Sequence, residues 1–135
     1  MNSKAYEYAL NSIHSKEVPK YVKIQCKEFL KIANGKNEKY YLNEEKVKQI
    51  ENVLKLLNMP KGLKAGKSLY ECTCGYQWFF YISILAIVHK DNPAKRKYET
   101  AILEIARKNF KTYTVAIMFI VLFLLEPRYS KFYSV

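Results

Sequence analysis

At 135 residues, half of them hydrophobic and 15% aromatic, the chain is long enough to bury one real core and too apolar to be a disordered tail. Its formal net charge of +11 favours an anionic partner such as nucleic acid, a phosphate ligand or an acidic membrane surface, and argues against mimicry of DNA, which needs an acidic surface. Of the 23 basic residues only Arg96, Arg107 and Arg128 are arginine, and the lysines run the whole length without a block, so most are expected on solvated faces.

The N-terminal half reads as amphipathic helices. Ser3 is a candidate cap for the first, with Tyr6, Leu10 and Ile13 along one face. Pro19 suits the first turn of a second helix, in which Val22, Cys26, Phe29, Leu30 and Ala33 recur at helical spacing until Gly35 ends it. "NGKNEK" reads as a turn. Asn43 followed by Glu44 and Glu45 is a start signal, since two acids stand where the helix dipole favours them, and Val47, Ile50, Leu54 and Leu57 supply an apolar stripe. "NMPKG" stops that helix.

Near residue 75 the character changes. Gly75 precedes an almost wholly apolar run, "YQWFFYISILAIVH", expected to be helical, and "KDNPAKRK" is a basic loop in which Lys95, Arg96 and Lys97 are candidate contacts for nucleic acid or a protein partner. "YETAILEIA" has the length and composition of a strand, "RKNFK" follows, and residues 112–126 form a long apolar helical segment closed by Pro127. "SKFYSV" again reads as a strand. Strand, short basic loop, helix, strand is a βαβ unit, whose two strands would be parallel. The expected fold is therefore mainly α with a small parallel two-stranded sheet, an incomplete α/β core resembling that of phosphate-loop proteins. An all-α bundle is the alternative if residues 98–105 and 131–135 rearrange. A helical region over 1–75 and a second part over 76–135 are expected to form one compact domain.

Two apolar runs, 76–88 and 115–125, fall short of the roughly 20 residues a membrane-spanning helix needs. They are expected in a core, with no membrane partner. Cys26, Cys72 and Cys74 are odd in number and lack zinc-ligand spacing, and nothing at the N-terminus resembles a secretory signal. A reduced, cytoplasmic setting without a structural metal is expected.

Two stretches resemble pieces of a phosphate-binding loop, G-x-x-x-x-G-K-[ST]. "GLKAGKS" (62–68) has the glycines but no convincing strand before it and no helix immediately after, so it reads as a basic loop. "ARKNFKT" (106–112) has a strand entering and a helix leaving, which the anion site needs because the helix N-terminus supplies free N–H groups. There Lys111 would meet the β/γ phosphates and Thr112 the Mg²⁺ ion. Ile105 and Phe110 stand where the consensus has glycine, and a Cβ at the second of these crowds the backbone approach to phosphate.

Across essentially its whole length the chain resembles the N-terminal part of the large terminase subunit of tailed phages, the motor ATPase that packages DNA. "YALNSIHSKEVPKYVKIQCKEFL" is similar to that family's opening helices, "KYYLNEEKVKQIENVLKLLNMPKG" to its next helix, and "KGLKAGKSLYECTCGYQWFFY" to its approach to an adenine-side glutamine. "YETAILEIARKNFKTYTVA" resembles its deviant Walker A loop, and "LEPRYSKFYSV" the following turn and strand. The resemblance implies that Gln77 reads the adenine edge, that Arg107, Lys108, Asn109, Lys111 and Thr112 line the triphosphate, and that Thr112 holds Mg²⁺ when nucleotide is bound. It implies weak Mg·ATP binding without hydrolysis, because the Walker B acids, catalytic carboxylate and nuclease domain of the family would lie beyond the second strand. Phage packaging proteins would be the partners, and an exposed sheet edge would favour self-association. A reading of another class is a small phage-encoded anti-defence protein, of the anti-CRISPR type, that binds a nucleoprotein effector or its RNA.

Overall fold

The computed structural model describes residues 4–57, 66–93, 95–98, 100–101 and 111–125. Among these residues are six helices, α1 (Lys4–His14), α2 (Lys20–Ala33), α3 (Glu44–Leu56), α4 (Leu69–Cys72), α5 (Gly75–Leu85) and α6 (Lys111–Leu125), and two short strands, β1 (Tyr40–Leu42) and β2 (Ile87–His89). The fold is thus mainly helical with a small two-stranded sheet, as expected. The strands, however, are antiparallel, with Tyr40 opposite His89, Tyr41 opposite Val88 and Leu42 opposite Ile87. The described sheet comes from parts of the chain other than those read as strands. Of the residues read as strands, 131–135 lie outside the described residues, as does most of 98–105, and Tyr98, Thr100 and Ala101 are not in a strand.

The chain divides into two compact units, residues 1–47 with 73–100, and residues 48–72 with 101–135. In the first, α1 packs on α2 and α5, α2 on β1, and α5 on β2. Its core holds Ala5, Ala9, Cys26, Phe29, Ile32, Leu42, Trp78, Tyr81, Ile82, Ile87 and Val88. The buried side of α1 is Ala5, Ala9 and Ser12 rather than the expected Tyr6–Leu10–Ile13 stripe, and Leu10 is 42% exposed. Small side chains win because helices can then approach closely. The same economy recurs at Gly75, where an added Cβ would lie 2.9 Å from Tyr8 Cδ2, and the Tyr8 ring lies tilted against Phe79, 5.6 Å between centres.

Helix ends follow their sequence signals. Beyond Ala33 the Gly35 N–H donates to Ile32 O and the Lys36 N–H to Lys31 O, with Gly35 at φ 74°, which is a complete Schellman ending. Asn37 Oδ1 accepts the Lys39 and Tyr40 N–H groups and turns the chain into β1. Asn43 Oδ1 accepts the Glu45 and Lys46 N–H groups, capping α3 as read.

The run 76–89 is not one helix. It stops at Leu85 with Ala86 as its cap, and Ile87–His89 becomes β2. Two β-branched residues follow that cap, and β1 offers them a partner: the Asn43 N–H donates to Ala86 O and the Lys90 N–H to Lys39 O at either end of the pairing. In the second unit the buried residues include Ile50, Val53, Leu54, Leu69, Cys72, Thr114, Ile117 and Val121.

Candidate functional site

The phosphate-loop reading concerns the start of α6. Its first residue is Lys111 and its second Thr112, so the helix follows "ARKNF" directly. A helix of 15 residues leaves its first N–H groups without intrahelical acceptors, and these are what a phosphate would meet. Arg107, Lys108, Asn109 and Phe110 lie outside the described residues. Further along, Thr114, Ile117 and Val121 are buried, at the spacing of one helical face.

After "GLKAGKS" a helix does form, contrary to expectation, but it is the single turn Leu69–Cys72. Ser68 Oγ accepts the Glu71 N–H at 3.4 Å there, and Gly66 takes φ 85°. One turn aligns too few peptide dipoles for an anion site.

Gln77 lies in the first unit, on the first turn of α5, and is only 5% exposed. Its Oε1 accepts the Cys74 N–H at 2.9 Å, while the Cys74 side chain accepts the Gln77 backbone N–H. This reciprocal pair is a capping box with cysteine in place of serine or threonine. The carboxamide oxygen thus serves the helix end.

The basic loop 90–97 folds back along β2. The His89 N–H donates to Lys95 O and the Lys97 N–H to Ile87 O, and Arg96 forms an isolated antiparallel bridge with Val88. Of the three candidate contact residues, Lys97 is drawn into the protein. Its Nζ lies 3.2 Å from Glu28 Oε1, 5.0 Å from the Tyr40 ring centre and 4.8 Å from that of Tyr98, and its side chain is 15% exposed. Burial pulls the Lys97 ammonium down, but the Tyr98 hydroxyl and Glu28 carboxylate outweigh it, and the pKa ends raised. Lys95 remains exposed and Arg96 half-buried. The lysine–tyrosine–glutamate cluster was not read from sequence, because Glu28 and Lys97 are 69 residues apart.

Burial raises the Cys26 thiol above its ordinary range, partly offset by a hydrogen bond with Ser12, so it stays a protonated core group. Among the described residues no group of three histidine, cysteine, aspartate or glutamate side chains is placed to hold a metal, and no helix is long and apolar enough to cross a membrane. Comparison with protein-family models, with curated proteins and with solved structures finds no match to this chain.

Proposed function

We propose that the chain is a nucleotide-binding segment of a terminase-like DNA-packaging ATPase, binding Mg·ATP weakly through "ARKNFKT" and not hydrolysing it. The observation that carries this reading is the position of α6. It begins at Lys111, so the lysine and threonine of the motif take the first two places of a long helix. The donor set fits the group: backbone N–H groups and an ammonium suit phosphate oxygens, and a threonine hydroxyl suits Mg²⁺. Bound Mg²⁺ would neutralise charge on the phosphates. Lys111 would hold the β/γ phosphates, Thr112 would ligate the metal, and Arg107, Lys108 and Asn109 would line the triphosphate.

Phe110 sets the affinity. Its side chain opposes the close backbone approach that glycine permits, so the site is expected to bind nucleotide far less tightly than a consensus loop. Calorimetric titration with Mg·ATP, on the wild type and on Lys111→Ala, tests the reading. A saturable isotherm in the wild type that is lost in the variant is expected. Absence of binding in the wild type, or equal binding in both proteins, would overturn it.

A further inference from the structure

α2 presents a face the nucleotide reading does not use. It carries Lys20, Lys23, Lys27 and Lys31, and its single acid is Glu28. That carboxylate is committed to Lys97 at 3.2 Å. None of the four lysines forms an ion pair among the described residues, so the helix shows four uncompensated charges. At 3.6 residues per turn Lys20, Ile24, Lys27 and Lys31 fall within about 60° of one another, along about 16 Å of helix, with Lys23 to one side. Lys20, Lys27 and Lys31 are exposed and Lys23 is half-buried.

Two apolar groups stand in water here, Ile24 within the row and Tyr21 on its flank, about 80–120° round the helix from the row's lysines. Tyr21 is 79% exposed and Ile24 49% exposed, while the helix buries Cys26, Phe29, Leu30 and Ile32 away from the lysine row. An exposed tyrosine on the flank of a lysine row offers both things a single-stranded polyanion needs, charge for the phosphates and a ring for a base that projects sideways from them. Lysines meet phosphates as point charges without reading sequence, and an aromatic ring stacks on any base. A duplex supplies the charge but keeps its base faces stacked on one another. An anionic lipid surface supplies charge and an apolar interior but no ring faces.

We propose that the Lys20–Lys31 face of α2 binds single-stranded nucleic acid, with Tyr21 stacking on a base and Lys20, Lys27 and Lys31 lying along the phosphates. Lys23 adds a fourth charge at the edge. Binding is sequence-tolerant and salt-sensitive. Four neutralised phosphates on a single strand give a salt slope near −3, or about a 50-fold loss between about 50 and 200 mM salt.

The test is fluorescence anisotropy of the whole chain, without ATP, on a labelled 12-nucleotide oligo(dT) and on a duplex of the same length. Its outcome is therefore independent of nucleotide binding at Lys111. Single-strand binding is expected to be tighter than duplex binding. Tyr21→Ala should weaken it about tenfold, the double variant Lys27→Glu, Lys31→Glu should weaken it more, and Lys48→Glu, on the exposed side of α3, should leave it within about twofold. The substituted side chains are exposed, and an unchanged melting temperature confirms intact folding in each variant. No binding to the oligonucleotide would overturn the proposal, as would equal affinity for duplex with no effect of Tyr21→Ala. So would preferential capture by phosphatidylserine vesicles over oligo(dT).

Discussion

Lys97 shows how one side chain ties distant segments together. It meets Glu28 of α2 and the rings of Tyr40 and Tyr98, joining the loop after β2 to both α2 and β1. Lys97→Met keeps the apolar stem but removes the charge, and should cost about 1 kcal/mol in urea unfolding. The sign with pH follows from the raised pKa. Stability from the charged lysine is complete below its ordinary value of 10.5 and is lost as pH rises through the higher folded value. The gap between wild type and Lys97→Met should therefore be constant at neutral pH and close at strongly alkaline pH. A gap that widened above pH 10.5 would contradict this account of the pair.

At the scale of elements, the α5 cap is the clearest case of local chemistry fixing a boundary. Gln77→Ala leaves the Cys74 N–H without its acceptor and should destabilise the protein by about 1–2 kcal/mol, whereas Gln77→Glu keeps an acceptor and should cost less. Equal losses in a thermal melt would mean that packing, not the cap, holds Gln77. The stop of α2 and the start of α3 were legible because Gly35 and Asn43 act within a few residues of themselves, while "NMPKG", read as the stop of α3, lies outside the described residues. β2 was not legible. Ile87 and Val88 continue an apolar run with no change of period, and what makes them a strand is Tyr40–Leu42, more than forty residues earlier. The buried side of α1 was missed for a related reason: hydrophobicity favours Leu10, while close helix packing selects Ala5 and Ala9. For the candidate site, sequence supplied the motif and the start of the helix after it, but not the place of Gln77 in the α5 cap.

For the molecule as a whole, a net charge of +11 on 135 residues sets the background. Repulsion among spread lysines is screened over about 10 Å at 0.1 M salt, so the melting temperature should rise as salt goes from about 10 to about 150 mM. A fall would mean that attractive pairs such as Lys97–Glu28 outweigh the repulsion. The same charge gives any phosphate ligand a favourable approach without selecting it. Selection has to come from local geometry, and in the proposed phosphate loop Ile105 and Phe110 stand where the pattern has glycine. Phe110, directly before the lysine, is the departure expected to limit affinity more, which makes its replacement the most direct test. Titration of Mg·ATP into the wild type, Lys111→Ala and Phe110→Gly should rank the three proteins. Phe110→Gly should bind about tenfold tighter than the wild type through easier backbone approach, and Lys111→Ala should not bind. Binding unchanged by Phe110→Gly, or retained without Lys111, would contradict a phosphate site at the head of α6.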